Sequence, residues 1–440
     1  MRITLVYPSV GRKKGKKYLK SWQMEPLAIA ILARLTPGDI ELRFYDDRLE
    51  DIKFDAPTDL VALSVETYSA KRSYEIAQEF RKRKVPVVMG GYHPSLLPEE
   101  ASQYADAIVI GNAEPVWAKV IEDFRACRMS GVYWAGTLYK GCNIVPDRSI
   151  FSGKKYLDMA LLETGRGCRF RCEFCSVTSF YDGQYERRSE AEVVAEIESL
   201  KRKLYFFVDD NIIGDIPSAK KLFKALIPQK IKWISQCSLN VVKDDELLDL
   251  MARSGCAGLL IGFESIVQEN LAQMKKTHNY DFGDYHWALE KLRQKGIVLY
   301  GTFVFGYDGD TEEVIRRTVS FSKEEKLFIA AFNHLVPFPG TPLFERLRSE
   351  KKMYTERWWL DPAYQYGDIC FQPKELTPQR LTQLCLEARS SFYGLGSILK
   401  RGMEFEANCK SFKQVGLYLL ANAMLRKEVM EKRSIKLGTT

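Results

Sequence analysis

Two successive series of short apolar runs, each run divided from the next by a helix-spaced segment, fill the chain from its start to about residue 345. In the first series the runs are Ile3–Tyr7, Glu41–Tyr45, Leu60–Val65, Val85–Met89 and Ala107–Ile110. Helical spacing separates them at Glu25–Leu35, which stops before Pro37, near Lys71–Arg83, and from Pro115 to about Arg125. The second series comprises Ala160–Thr164, Leu204–Val208, Trp233–Cys237, Leu259–Phe263, Val298–Phe305 and Ala330–Val336. Helical segments between these include Glu190–Lys201, Ala219–Leu226, Asp245–Arg253 and Tyr285–Lys295. Apolar strands alternating with amphipathic helices make βαβ units, because a parallel sheet covered by helices buries such strands on both faces.

The fold class is therefore α/β. Five strands over residues 1–130 suit a flavodoxin-like (Rossmann-like), doubly wound domain, whose ligand would sit beyond the carboxyl ends of its strands. Residues 131–155 read as a linker with one or two edge strands. Six βα units over 156–345 suit a partial (βα)6 TIM-type barrel, with its chemistry at the carboxyl ends of the strands. Residues 346–440 turn aromatic, then helical and basic, and form a small helical C-terminal region.

With 46% apolar and 28% charged residues, the chain has a globular composition. Its net charge of +8 is too mild to argue for nucleic acid. No apolar run reaches the length of a membrane span, and the N-terminus reads as a buried strand and not as a signal peptide, so a cytoplasmic protein is expected. Ten cysteines in such a compartment are not a disulfide framework. Seven are scattered, but Cys168, Cys172 and Cys175 lie in one short loop directly after the first barrel strand.

That loop reads Glu163-Thr-Gly-Arg-Gly-Cys-Arg-Phe-Arg-Cys-Glu-Phe-Cys175. Thiolates suit zinc or iron–sulfur, and a structural zinc wants four ligands. The next cysteine, Cys237, is far along the chain. Three local thiolates thus favour an iron–sulfur cluster with one iron left open over a zinc completed by a remote residue. Gly165 and Gly167 let the backbone bend before the first ligand, and Arg166, Arg169 and Arg171 are placed to offset the cluster's negative charge.

A Cys-x3-Cys-x2-Cys loop after the first strand of a βα barrel resembles the radical S-adenosylmethionine (SAM) superfamily. The resemblance implies that Cys168, Cys172 and Cys175 hold a 4Fe–4S cluster whose open iron chelates SAM. Reductive cleavage then yields a 5′-deoxyadenosyl radical that abstracts hydrogen from substrate. It also implies SAM contacts from Phe174 near the adenine, from Asp209 and Asp210 near the amino group, and from Gln236 and Ser238 near the carboxylate or ribose. Glu264, Phe305 and Pro337, in the strand-end segments Gly262–Ser265, Gly301–Gly306 and Pro337–Pro342, complete that set.

The first domain is similar to the cobalamin-binding domain of one large class in this superfamily. Ser64 and the pair Gly90-Gly91 match that domain's elements. Asp47, Glu66, Thr67, Tyr92, His93, Gly111 and Glu114 also stand at predicted strand ends, as corrin contacts. The usual Asp-x-His-x-x-Gly is absent: aligned on Asp47 its histidine becomes Leu49, and aligned on Asp46 it becomes Arg48. The absence of Gly-x-Gly-x-x-Gly after the first strand disfavours a dinucleotide.

The resemblance extends over about residues 1–345 and implies a cobalamin-dependent radical SAM C-methyltransferase, with methylcobalamin delivering a methyl group to an unactivated carbon. Alternatives are a radical SAM cyclase, a ring-contracting or oxidising enzyme without methyl transfer, and a cobalamin-binding sensor or carrier with an inactive barrel. The partners implied are a small-molecule or lipid-like substrate and an external electron donor such as flavodoxin or ferredoxin, with no nucleic acid. Trp358-Trp359, Tyr364 and Tyr366 read as a packing seam or a cap on the barrel mouth. Phe412–Arg433 reads as a docked amphipathic helix or a membrane-surface helix, and the basic run Arg12–Lys17 as a solvated loop or a phosphate site.

Overall fold

The computed structural model describes residues 1–11, 23–136, 144–276, 284–431 and 435–438. The basic run 12–17, Cys142 and Lys432-Arg433 lie outside them. Strands β1 (Arg2–Tyr7), β2 (Glu41–Asp46), β3 (Leu60–Ser64), β4 (Val87–Gly90), β5 (Ala107–Ile110) and β6 (Gly131–Trp134) form one parallel sheet in the order β2-β1-β3-β4-β5-β6. Alternate residues of each strand serve opposite faces. Ile3, Leu5, Leu60, Ala62, Val88 and Val109 pack under helices Leu27–Leu35 and Trp117–Arg125. Val61, Leu63, Val87, Met89 and Ile108 pack with Tyr74, Ala77 and Phe80 of helix Ala70–Lys82. Strand β6, at the sheet edge, is one of the edge strands expected in the linker. Its Val132 and Trp134 are exposed, so it lacks the buried apolar signature that marks the other five.

Strands β7 (Ala160–Leu162), β8 (Gly165–Gly167), β9 (Tyr185–Arg187), β10 (Leu204–Phe207), β11 (Lys232–Cys237), β12 (Cys256–Glu264), β13 (Val298–Phe305) and β14 (Ile329–His334) follow. Six of them form a second parallel sheet, β14-β13-β12-β11-β10-β7, while β8 and β9 pair antiparallel beside it. Among the described residues β7 and β14 do not pair, so the barrel is open. Its outer face is a ladder of stacked rings, Phe263 on Phe303 and Phe303 on Phe332, covered by Phe321 of helix Glu312–Glu324. On the other face Gln236, Leu260, Gly262, Thr302 and Val304 stay partly accessible and line the lumen.

The carboxyl ends of the two sheets face each other. Tyr68 rests on Phe338 and Tyr92 on Phe180, with ring centroids 5.7 and 4.6 Å apart. Trp358 and Trp359 are fully buried, and their indole N–H groups donate to the Pro337 carbonyl (3.0 Å) and to Glu100 Oε1 (2.8 Å). They are a packing seam between C-terminal region, barrel and first domain, not a substrate cap. Helices Leu395–Gly402 and Phe412–Glu431 pack around Phe328, at the amino end of β14 and hence opposite the mouth.

Asp47, expected to face a corrin, is instead a buried anchor. It accepts hydrogen bonds from Ser9 N and Oγ and from Arg72 Nε and Nη2. Burial works to raise its pKa, but Arg72 outweighs this and holds the carboxyl below the usual range. Asp47→Ala is expected to cost about 3 kcal/mol of stability. A urea-unfolding midpoint that does not move would contradict that role.

Candidate active site

The cysteine loop is clamped on every side. Asp209 accepts from Thr164 N (2.7 Å) and from its hydroxyl, and Asp210 accepts from Gly167 N (2.9 Å). Gly167 has φ +80°, and a Cβ there would come within 2.2 Å of the Gln184 carbonyl across the β8–β9 pair, so only glycine fits. Glu173 N donates to Met274 O, Leu343 N donates to Glu173 O, and the Glu173 carboxylate pairs with Arg346 (2.7 Å). Burial pushes the Cys168 thiol up to about 11 and the Cys172 thiol up to about 12, and raises Cys175 too, although the Val177 and Thr178 backbone N–H groups act to lower it. The three thiols lie within electrostatic reach of one another. Among the described residues no group of three His, Cys, Asp or Glu side chains, the three cysteines included, is placed around a single metal ion.

The cation beside the thiols is Lys276, not the arginines of the loop. Arg166 binds Glu114 and Glu163, Arg169 binds Asp215, and Arg171 binds Asp182. Lys276 is buried, 2.9 Å from Glu264 Oε1 and 6.0 Å from the Phe174 ring centroid. Burial opposes its charge, but Glu264 and the Cys172 and Cys175 thiolates hold its pKa above the usual value. Glu264 has φ +61° where the β12–β13 register shifts. Such strain at a bulge re-aims a side chain, and it is characteristic of functional sites. A Cβ on Gly262 would strike both Glu264 Oε1 (2.4 Å) and Lys276 Nζ (2.8 Å). No local pattern marked Lys276, which reaches the loop from beyond helix Gln268–Gln273.

Phe174, Asp210, Gln236 and Glu264 are brought to this mouth. Ser238 is there too, but its hydroxyl is held by Asn211 and Asn240. Asp209 is spent on Thr164. Two expected SAM contacts are displaced. Phe305 belongs to the buried outer ladder beside Phe332, because the two-residue period of β13 sends Thr302 and Val304, not Phe305, into the lumen. Pro337 gives its carbonyl to the tryptophan seam.

In the first domain Ser64 and Gly90 lie side by side in register at the sheet end. Gly91 has φ +111°, and a Cβ would sit 2.6 Å from Val65 O, so chain packing demands this glycine. Gly111 N–H is already spent on Ser95 Oγ, to which it donates at 3.0 Å. His93 is fully buried, with Nδ1 against Thr67 Oγ1 (3.3 Å) and Nε2 against Tyr74 OH and Glu100, so neither it nor Thr67 is open to a corrin. Glu114 is consumed by Arg166 at 2.5 Å. Glu66 and Tyr92 remain. Glu66 is exposed, and burial of its carboxyl raises its pKa. Burial also raises Tyr92, which lies within electrostatic reach of Cys175 and Asp210. Tyr7, donating to Glu66 Oε1 (3.3 Å), extends the same wall and was not expected. The ends of β1, β3 and β4 thus face the cysteine loop, with Tyr92 between them.

Residues 162–322 match the model of the radical SAM superfamily. A bacteriochlorophyllide d C-8(2)-methyltransferase of Chlorobaculum tepidum is 30% identical over 356 residues, which cover 76% of this chain and 78% of the relative. The chain belongs to the radical SAM superfamily. A second relative from that organism, a bacteriochlorophyllide d C-12(1)-methyltransferase, is 28% identical over 86% of this chain and 84% of its own. Among solved structures, the radical SAM methyltransferase TsrM of Kitasatospora setae, with cobalamin and a [4Fe-4S] cluster bound, superposes with a TM-score of 0.69 at 18% identity, covering 98% of both chains. For a radical SAM protein the donor set fits: three thiols on one clamped loop, with a buried ammonium beside them.

Burial raises Glu163 to about 7 against Arg166, with Asp209 and Glu114 adding like charge. The folded protein keeps this proton between pH 4.5 and about 7, where the unfolded chain has lost it, so stability falls as pH rises through that window. Glu163→Gln is expected to flatten the fall by on the order of 2 kcal/mol in denaturant titrations across that range. An unchanged slope would show that Glu163 is ionised throughout.

Proposed function

We propose that this chain is a cobalamin-dependent radical SAM C-methyltransferase acting on a small, largely apolar substrate of the tetrapyrrole kind for which its two Chlorobaculum relatives are named. The observation that carries the reading is that the carboxyl ends of two parallel sheets face each other, with the three thiols on one side and the first domain's strand ends on the other. Loaded there, a 4Fe–4S cluster and SAM supply the radical that takes hydrogen from substrate, and a corrin supplies the methyl group. Cys168, Cys172 and Cys175 hold the cluster. Lys276 compensates its charge in a medium of low dielectric, where one ammonium counts heavily. Phe174, Asp210, Gln236 and Glu264 are the SAM contacts. Ser64, Gly90, Glu66 and Tyr92 form the corrin wall. Tyr68, half-buried against Phe338 and Trp358, shields the reaction from water. Electrons come from an external donor such as a flavodoxin or ferredoxin.

The test is an anaerobic assay of reconstituted protein with SAM, dithionite, methylcobalamin and a bacteriochlorophyllide, read by mass spectrometry. Wild type is expected to form 5′-deoxyadenosine, S-adenosylhomocysteine and a methylated pigment, and Cys172→Ala to lose the cluster absorbance and all three products. Deoxyadenosine with no S-adenosylhomocysteine would replace methyl transfer by a cyclising or oxidising reaction.

A further inference from the structure

Helix Phe412–Glu431 is apolar on two opposite sides. Tyr418, Ala421 and Leu425 face inward onto Phe328, and Asn422 Nδ2 donates to the Phe328 carbonyl at 3.2 Å. The opposite arc holds Phe412, 99% exposed, Leu420, 59% exposed, and also Leu417, Leu419 and Met424. The adjoining helix Leu395–Gly402 adds Leu395 and Leu399, one turn apart, with Met403 just beyond, all exposed. A docked helix ordinarily turns polar residues outward, and an apolar patch of this kind marks an interaction surface.

Charge selects what covers it. From Phe412 to Lys427 the charged residues of the long helix are Lys413, Arg426 and Lys427, all basic and all exposed. At helical spacing Lys413 and Lys427 fall inside the apolar arc and Arg426 at its margin. The acidic Glu428 is turned inward and buried. Residues 395–440 hold nine basic and four acidic residues, so they carry +5 of the chain's +8. A two-fold contact with a second copy would set these like charges against one another in apolar surroundings. A flat surface of acyl chains beneath anionic headgroups receives both features: the apolar side chains insert, and the lysine stems lie along them with their ammonium groups at headgroup level. We infer that this face docks the protein on an anionic lipid surface. Among the described residues no helix is long and apolar enough to cross a membrane, so the attachment is peripheral. It lies at the amino end of the barrel, away from the cysteine loop, and it does not rest on the reading of the active site.

The experiment is co-flotation of the full chain with phosphatidylcholine vesicles and with vesicles that also contain phosphatidylglycerol, at low and high salt. Binding is expected on the anionic vesicles, weakening with salt. The double variant Lys413→Glu/Lys427→Glu should weaken it about ten-fold or more. Phe412→Ser/Leu420→Ser should abolish it with an unchanged thermal midpoint, because both side chains are exposed. Three results would overturn the inference: no flotation with phosphatidylglycerol, equal flotation with both vesicles that ignores the lysine reversals, or a dimer in sedimentation that Leu420→Ser converts to monomer.

Discussion

A single guanidinium, that of Arg166, is shared between the two halves of the molecule. It lies two residues before the first cysteine and binds Glu163 of its own loop at 2.6 Å and Glu114, in the loop after β5 of the first domain, at 2.5 Å. Burial, with Asp209 and Glu114 adding like charge, raises the Glu163 carboxyl to about 7 although Arg166 acts to lower it. This triad couples the cysteine loop to the strand ends opposite. The facing ends of the two sheets are tied together by these ion pairs. In buried surroundings fixed charges act strongly, which makes the buried Lys276 beside the thiols consequential.

Strand-end polar residues fall into two groups. Asp47, Thr67, His93, Glu114 and Asp209 are committed to partners in the protein, and their work is to hold loops. Asp210 and Glu264, held by Gly167 N and Lys276, and Glu66 and Tyr92 stand at the strand ends that face the cysteine loop. The first group is the condition for the second, since a catalytic loop on the end of a strand is only as precise as the hydrogen bonds that fix it.

The C-terminal region divides its duties in the same way. Its aromatic part is locked under the first domain by the Trp359–Glu100 hydrogen bond. Its helical part is anchored through Arg401, which donates to the carbonyls of Leu327 and Phe392 and to Asn422, with its guanidinium 3.7 Å from the Phe392 ring centroid. So firm an attachment presents the outer arc of Phe412–Glu431 as a rigid surface at the end of the molecule away from the cysteine loop.

The sequence by itself determined the order of strands and helices, the two-sheet architecture and the cysteine triad, because burial imprints a short period on the chain and the three ligands lie in one loop. The tertiary structure decided which side of a strand faces the lumen, displacing Phe305 in favour of Thr302 and Val304, and which charges are already paired. It took Arg166, Arg169 and Arg171 away from the thiols and put Lys276 there, and it turned His93 from an expected corrin contact into a buried residue. It also fixed the expected edge strand of the linker as β6, paired with β5, a register that its exposed side chains do not encode. Local periodicity records only whether a residue is buried. Which opposite charge it meets depends on distances across two domains, and only the folded chain sets those.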